Sequence, residues 1–195
     1  PALAHGTRAR IRSCYEYTSY LNEFLRQLPP LTKAYPDETS VTAPIETWSD
    51  DFSIAIAGIP SMVNDFTGGS FMETHYHSQF DNDDYYDEDV YRLHHELFLL
   101  LVHGLDQTAV VPLNFAPVMR RAAKALECEG PKEVSVSFSS LKKLLSQAEL
   151  SAEAAYKTVE KTNRQYRILL QEGRLSEAEQ LFENSRKDES HALEL

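Results

Sequence analysis

The segment from Thr74 to Asp84 concentrates the side chains that bind divalent metals. It reads Thr-His-Tyr-His-Ser-Gln-Phe-Asp-Asn-Asp-Asp. Imidazole and carboxylate groups are the ligands that hold zinc and similar borderline metals. His75 and His77 are two positions apart, so in an extended segment both rings point to the same face. The segment would supply two or three of the three or four ligands that a metal site needs. The alternative is a solvated acidic loop after a strand, and the spacing alone does not decide between the two.

Apolar periodicity predicts the elements that must position this segment. A short extended segment at 7–12 carries arginines on one face, and we interpret it as an edge strand. Residues 31–47 are rich in Pro and Thr and predict a loop. A second short strand is expected at 59–66. The predicted helices are 14–28, 52–57, 88–103, 117–128, 140–171 and 176–187.

Polar residues and glycines mark the expected ends of these helices. Asp50 and Asp51 are candidate N-caps for the helix at 52–57, Asp87 for the helix at 88–103, and Ser139 or Ser140 for the long helix. Ser176 is the candidate cap of the last helix. The glycines at 58, 104 and 173 are expected to end helices.

The character of the chain changes near residues 112–117. Strand-like and helical runs alternate before that point, whereas nearly everything after it is helical. The sequence therefore predicts a partial α/β region at residues 1–114 and an all-α region at residues 115–195, with helices dominating overall. A core of the second region alone would be small, so we expect it to pack on the first region or on another subunit.

Composition narrows the classes of function. The chain has 195 residues and a formal net charge of −11, which argues against binding to nucleic acid or to anionic membranes. The longest apolar run, Leu97–Val102, is far below the roughly 18–20 residues needed to span a bilayer. The two cysteines, Cys14 and Cys128, form neither a disulfide framework nor a metal-ligand pattern. A reducing cytoplasm is the expected compartment, although export of a longer protein remains open.

Three short motifs occur in an order that carries more information than any one of them. Trp-Ser-Asp-Asp-Phe at 48–52 is followed by Gly-Ile-Pro-Ser at 58–61, and then by Tyr76-His77. This order resembles the end of the catalytic domain in the co-catalytic zinc exopeptidases, a family of metallopeptidases that includes bacterial aminopeptidases, glutamate carboxypeptidase II and the non-catalytic transferrin receptor. Val134–Leu141 resembles the start of the helical dimerisation domain of the last two. The resemblance covers roughly residues 45–160.

The resemblance implies a role for several side chains. His77 would be the last metal ligand and would bind the metal through one nitrogen of its ring. Asp81 would accept a hydrogen bond from the other ring nitrogen and so orient the imidazole. Tyr76 would donate its hydroxyl to the tetrahedral intermediate of peptide hydrolysis. The substrate cleft would be lined by Ser49, Asp50 and Asp51. Of these, Asp50 would contact the backbone of a peptide substrate. The cofactor implied is a pair of zinc ions that activate a bridging water.

The chain also departs from this family. The family does not use the position of His75, and His94, His95 and His103 on the helix at 88–103 are expected to be structural. The segment at 62–66 lacks the arginines that read acidic substrates in the glutamate carboxypeptidase branch. The other metal ligands and the general base of the family lie upstream of the part matched. We therefore expect this chain to be a fragment with little or no bound zinc and no hydrolase activity of its own.

The sequence leaves three functional hypotheses. The first is the C-terminal part of a zinc exopeptidase, trimming either end of a peptide. The second is a non-catalytic interaction module like the receptor branch. The third is an unrelated protein with a calcium-type acidic loop at 81–89, although that loop lacks the glycine expected at its sixth position. The apolar stripe along 140–171 predicts a homodimer through the helical region, the alternative being a stripe that packs on the helix at 88–103.

Overall fold

A computed structural model describes residues 8–28, 35–65, 75–126 and 138–193. The chain is helix-dominated and contains a small three-stranded mixed sheet. The strands are β1 (Arg8–Ser13), β2 (Glu38–Thr42) and β3 (Met62–Asp65). The helices are α1 (Thr18–Arg26), α2 (Phe52–Ala55), α3 (Glu88–Asp106), α4 (Ala116–Ala125), α5 (Ser139–Gln171) and α6 (Leu175–Leu193). The chain forms two compact units, Pro1–Val102 and His103–Leu195.

The sheet of the first unit is built around β1. Its strand order is β2-β1-β3, with β1 parallel to β2 and antiparallel to β3. Ala9, Ile11 and Ser13 alternate along β1 and are buried, as expected when one face of a strand covers a core. The predicted edge strand is therefore wrong, because β1 has a neighbour on both sides. Its arginines indicated a basic face correctly but could not indicate how many strands flank it.

The second correction concerns β2, which lies within the predicted loop at 31–47. Its sequence, Glu-Thr-Ser-Val-Thr, has one aliphatic side chain and no clear hydrophobic alternation. The pairing with β1 places Val41 beside Ile11 and Thr39 beside Ala9. Tertiary pairing therefore imposes the extended conformation on a segment whose local signals favour a loop.

The helix α3 carries the largest apolar face of the first unit. Val90, Leu93, Leu97 and Leu101 are buried at helical spacing. Asp87 caps the helix as predicted, since its Oδ1 accepts from the backbone N of Val90 at 3.0 Å. The prediction that the glycine at 104 ends the helix is wrong, because α3 continues to Asp106. One glycine costs a helix interior only about 1 kcal/mol, which is too little to stop it.

The first unit has a buried polar contact between α3 and the residues before β2. Tyr35 is 1% exposed, and its hydroxyl lies 3.0 Å from Nε2 of the buried His94. The two rings stack with centroids 6.3 Å apart. Since a buried polar atom without a partner is costly, this hydrogen bond specifies which turn of α3 faces Tyr35.

The second unit packs α4 and α6 against the long helix α5. Arg120 on α4 bonds Glu149 and Glu153 on α5. Asn163 on α5 is 3% exposed. Its Oδ1 accepts from the backbone N of Ala109 and of Val110, and its Nδ2 donates to the carbonyl of Val110. A single buried side chain thus satisfies three backbone groups of the connection before α4.

The ends of the helices agree only in part with the predicted caps. The glycines at 58 and 173 have positive φ angles of 80° and 72°, and they follow the ends of α2 and α5 as predicted. The predicted caps Ser139, Ser140 and Ser176 are wrong, because all three lie inside their helices. Helix starts are defined by backbone angles that a serine one or two positions away does not fix.

No helix in the described ranges combines the length and the apolar character required to cross a membrane.

We predict that Tyr35→Phe destabilises the first unit by about 1–3 kcal/mol, because the buried Nε2 of His94 loses this hydrogen-bond partner. Urea unfolding of the full chain, followed by circular dichroism, measures the difference. The control is Tyr76→Phe, which removes the same atom from an exposed ring. A difference between the two variants below about 0.5 kcal/mol would contradict the prediction.

The same variant also tests a pH dependence. Burial, reinforced by the negative charge of Asp87, raises the pKa of Tyr35 to about 12 from an ordinary value of 10.0. The native state therefore keeps its proton where the unfolded chain has already lost it. The contribution of Tyr35 is fully present below pH 10 and falls as the pH rises toward 12. Tyr35→Phe should flatten this part of the stability profile.

Candidate functional site

The turn that carries Tyr76 and His77 is held by hydrogen bonds of Ser78. The backbone N and the Oγ of Ser78 both donate to the carbonyl of His75, at 3.0 Å and 2.7 Å. The Oγ of Ser78 also accepts from the backbone N of Phe80 at 3.2 Å. The extended conformation considered for this segment is therefore wrong, and His75 and His77 do not share a strand face. The serine hydroxyl offers the backbone a local alternative to a strand.

His77 has an uncommon backbone conformation. Its φ is +55°, and among the non-glycine residues of the described ranges it is the one with a positive φ. In this left-handed conformation the Cβ atom lies too close to the carbonyl oxygen of the backbone, which costs roughly 1–2 kcal/mol. The rings of Tyr76 and His77 stack with centroids 3.9 Å apart. Both side chains are exposed, Tyr76 by 42%. The turn thus presents a hydroxyl and an imidazole together to solvent.

The segment with Ser49, Asp50 and Asp51 leads into α2. The backbone N of Phe52 donates to the carbonyl of Ser49 at 3.0 Å. Asp51 occupies the N-cap position, but its carboxylate does not cap the helix. The backbone angles of Asp51, φ −67° and ψ −17°, are already helical. A residue whose side chain caps a helix usually has extended backbone angles, because only then can its side chain reach the free N–H groups of the first turn. The predicted side-chain cap is therefore wrong at this position.

The carboxylate of Asp51 instead connects the motif at 48–52 with the motif at 58–61. Ser61 Oγ donates to Asp51 Oδ2 at 3.1 Å. The carbonyl of Ser61 accepts from Oγ of Ser13 at 2.7 Å, and Ser13 is fully buried at the end of β1. The segment at 49–61 is thus fixed to the central strand. Sequence reasoning missed Ser13, since a serine at the end of a basic strand gives no functional signal.

The other oxygen of Asp51 is left without a hydrogen bond. Asp51 Oδ1 is buried and has no partner among the described residues. Asp50 lies next to it and is exposed, with its carbonyl accepting from Ser53 Oγ at 3.0 Å. The buried oxygen of Asp51 is closed to an external donor, whereas the exposed carboxylate of Asp50 can accept from an N–H group such as that of a peptide.

Three further histidines among the described residues lie on α3 and have other contacts. His94 bonds Tyr35, and His95 Nδ1 lies 2.8 Å from the carbonyl of Tyr91. In the second unit, His103 Nε2 lies 2.9 Å from Nε2 of Gln107.

The described residues do not form a metal centre by themselves. No group of three or more His, Cys, Asp or Glu side chains within the described ranges is arranged to hold a metal ion. Asp81, the predicted partner of the His77 ring, is exposed in the following turn, where its backbone N donates to the carbonyl of Ser78. A zinc ion on His77 would therefore need at least one further ligand from outside the described residues.

No family model, curated protein or solved structure matches this chain. Two stretches fall outside the described residues: Gly68-Gly69, where the pair of glycines predicts a turn or a flexible loop, and residues 134–137 of the stretch that resembles the start of a dimerisation domain.

We predict that the chain alone binds zinc no more tightly than the micromolar range, because a single exposed imidazole gives one coordinate bond. Isothermal titration with zinc measures the affinity. His77→Ala should change the titration no more than the control His75→Ala. A nanomolar, stoichiometric site that His77→Ala abolishes would show instead that the chain contains a complete metal centre.

Proposed function

We propose that this chain is the C-terminal part of a zinc-dependent exopeptidase, with the α/β region at 1–114 belonging to the catalytic domain and 115–195 to a dimerisation region. The observation that carries the proposal is the turn at Tyr76-His77. The left-handed backbone falls on the histidine that the motif order singles out as a ligand, and both side chains are exposed. Strained backbone of this kind clusters at active sites.

The hydrogen bonds of the segment at 49–61 support the same function. The family resemblance implies that the Ser-Asp-Asp turn lines the substrate cleft. Asp51 and Ser61 are hydrogen-bonded to each other, and Ser61 is anchored on β1. This arrangement keeps Asp50 exposed at the start of α2, where a carboxylate can accept from the N–H groups of a peptide.

The contribution of this chain to catalysis is limited to binding and orientation. When bound in the longer protein, zinc would activate a water for attack on the peptide bond. His77 would supply one nitrogen ligand, and Tyr76 would donate a hydrogen bond to the developing oxyanion. The described residues supply no group of three ligands, so we assign the remaining ligands and the general base to polypeptide upstream of the part that resembles the family. As part of the same proposal, we place the protein in the reducing environment of the cytoplasm.

We predict no peptidase turnover by the 195-residue chain, because the described residues offer no complete set of ligands and the proposal places the general base outside the chain. Aminoacyl and peptidyl fluorogenic substrates with added zinc provide the assay. A longer polypeptide that includes the native upstream sequence should hydrolyse them in a chelator-sensitive manner. There His77→Ala should lower kcat/KM by at least about a hundredfold, whereas His75→Ala should have little effect.

Two results would refute this function. The first is zinc-dependent turnover by the isolated chain. The second is an upstream sequence without a His-x-Asp motif, a pair of glutamates and a further aspartate, since these would carry the missing ligands and base.

A second observation favours a dimerisation role for α5, and with it the alternative of a non-catalytic, receptor-like interaction module. Leu141, Leu144 and Ala155 lie on one face of α5 and are exposed, Leu144 by 62%. Other members of the predicted stripe, such as Tyr156 and Leu169, are half-buried or buried in the second unit. The exposed face is therefore the part available to a second copy of the chain.

We predict that the chain is a dimer at tens of micromolar and that Leu144→Asp or Ala155→Arg converts it to a monomer with its helicity retained. Burying an added charge in a helix–helix contact is the physical reason. Light scattering gives the mass, and circular dichroism gives the helicity. Leu150→Asp changes an exposed leucine about 120° away on the helix and serves as the control. A monomeric chain, or a dimer that survives both changes, would contradict this role.

A further inference from the structure

The outer face of α3 has an exposed aromatic stripe that the proposed function does not use. Tyr91, His95, Phe98 and Val102 recur at intervals of four, three and four residues, which places them along one side of the helix. All four are exposed, with Tyr91 at 44% and Val102 at 65%. A side of the same helix roughly 110° away, which carries Val90, Leu93, Leu97 and Leu101, is buried. This helix therefore has two apolar faces, and in the part of the first unit that the structure describes the inner face is covered whereas the stripe is exposed.

The N-terminal part of the stripe is a row of rings in contact. The centroids of Tyr86 and Tyr91 are 5.9 Å apart, and those of Tyr91 and His95 are 4.1 Å apart. The three exposed rings thus form one continuous surface, which we call the ring row. The negative face of an aromatic ring attracts a cation placed over it.

The charge around the ring row has one sign. Residues 81–96 contain seven carboxylates and one arginine: Asp81, Asp83, Asp84, Asp87, Glu88, Asp89, Glu96 and Arg92. Arg92 pairs with Glu88 at 3.1 Å, and the carboxylate of Asp87 caps α3. The other five carboxylates are exposed and have no ion pair with a described residue. Such a surface attracts a cationic partner and repels an anionic one.

The hydrogen-bonding groups of the ring row complement a donor. His95 Nδ1 lies 2.8 Å from the carbonyl of Tyr91, and a carbonyl only accepts, so Nδ1 must carry a hydrogen. In the neutral ring, Nε2 is then an acceptor, and the nearby carboxylates are acceptors as well. Arginine has five N–H donors, no acceptor and a planar group that stacks on aromatic rings, whereas lysine is a strongly hydrated point charge.

We propose that this outer face of α3 is a docking surface for an arginine-rich peptide segment. The guanidinium groups lie on the ring row and pair with the carboxylates of residues 83–89, and apolar residues of the segment cover Phe98, Leu99 and Val102. The stripe from Tyr91 to Val102 is about 16 Å long, which suits several residues of a peptide better than a single small molecule. The proposal does not depend on the exopeptidase function.

The test uses the full chain and a fluorescein-labelled twelve-residue peptide with four arginines separated by alanine and leucine. A matched peptide carries citrulline in place of each arginine, which keeps the planar group and removes its charge. Fluorescence anisotropy should show binding of the arginine peptide that weakens as salt rises from 50 to 200 mM. The citrulline peptide should bind at least about tenfold more weakly.

Variants of the chain locate the surface. Tyr91→Ala combined with His95→Ala should weaken binding of the arginine peptide about tenfold, with helicity unchanged because both side chains are exposed. Asp83→Asn combined with Asp84→Asn should reduce both the affinity and its salt dependence. Leu150→Ala, which removes an equally exposed apolar side chain from α5, is the control and should bind like the parent.

Three outcomes would overturn the proposal. Equal binding of the citrulline peptide would show that charge does not select the partner. Unchanged binding by the Tyr91→Ala, His95→Ala variant would place the peptide on another acidic surface. No binding of the arginine peptide at 1 mM would show that the ring row is not a docking surface for this chemistry.

Discussion

The structure of the first unit depends on the pairing of β1 with a strand on each side. Because β1 is central, its inward residues Ala9, Ile11 and Ser13 are buried, and its last residue, Ser13, can anchor the segment at 49–61. The hydroxyl of Ser13 holds the carbonyl of Ser61, and the hydroxyl of Ser61 holds Asp51. A strand whose main signal in the sequence is a basic face thus positions the polar turn at the start of α2. If β1 were an edge strand, it would be paired on one side only, and Ser13 would hold this turn less firmly.

The helix α3 shows how one element serves packing and recognition at once. Its inner face supplies Leu97 and Leu101 to the core and is fixed in rotation by the hydrogen bond between His94 and Tyr35. Tyr91 and Phe98 lie roughly 80–110° around the helix from the centre of this inner face, and both are exposed. The same helix therefore gives one face to the core and leaves a neighbouring face exposed.

The sequence predicted the long helices well and the sheet poorly, and the reason is physical. The apolar period of α3 and of α5 extends over several turns, so a local pattern determines each helix and its inner face. The strand β2 has too few apolar residues to show a period, and only its pairing with β1 makes it extended. Likewise, the sequence indicated which residues near Tyr76-His77 have metal-binding chemistry, but not that Ser78 would close the backbone into a turn. The sequence could not predict the hydrogen bond between Asp51 and Ser61 either, because the fold and not the spacing along the chain brings the two residues together.

The strain at His77 bears on what surrounds this turn in the functioning protein. A left-handed histidine is retained only if something offsets its cost, and the contacts of the turn include the hydrogen bonds of Ser78 to its immediate neighbours and the stacking of the Tyr76 and His77 rings. These contacts are local and leave the side chains of Tyr76 and His77 exposed. A bond from the imidazole to a metal held by other ligands would offset the strain and select this conformation from the alternatives. The proposed function therefore offers a physical reason for a strained histidine at this position, since a bond to a metal would compensate for the cost of its backbone conformation.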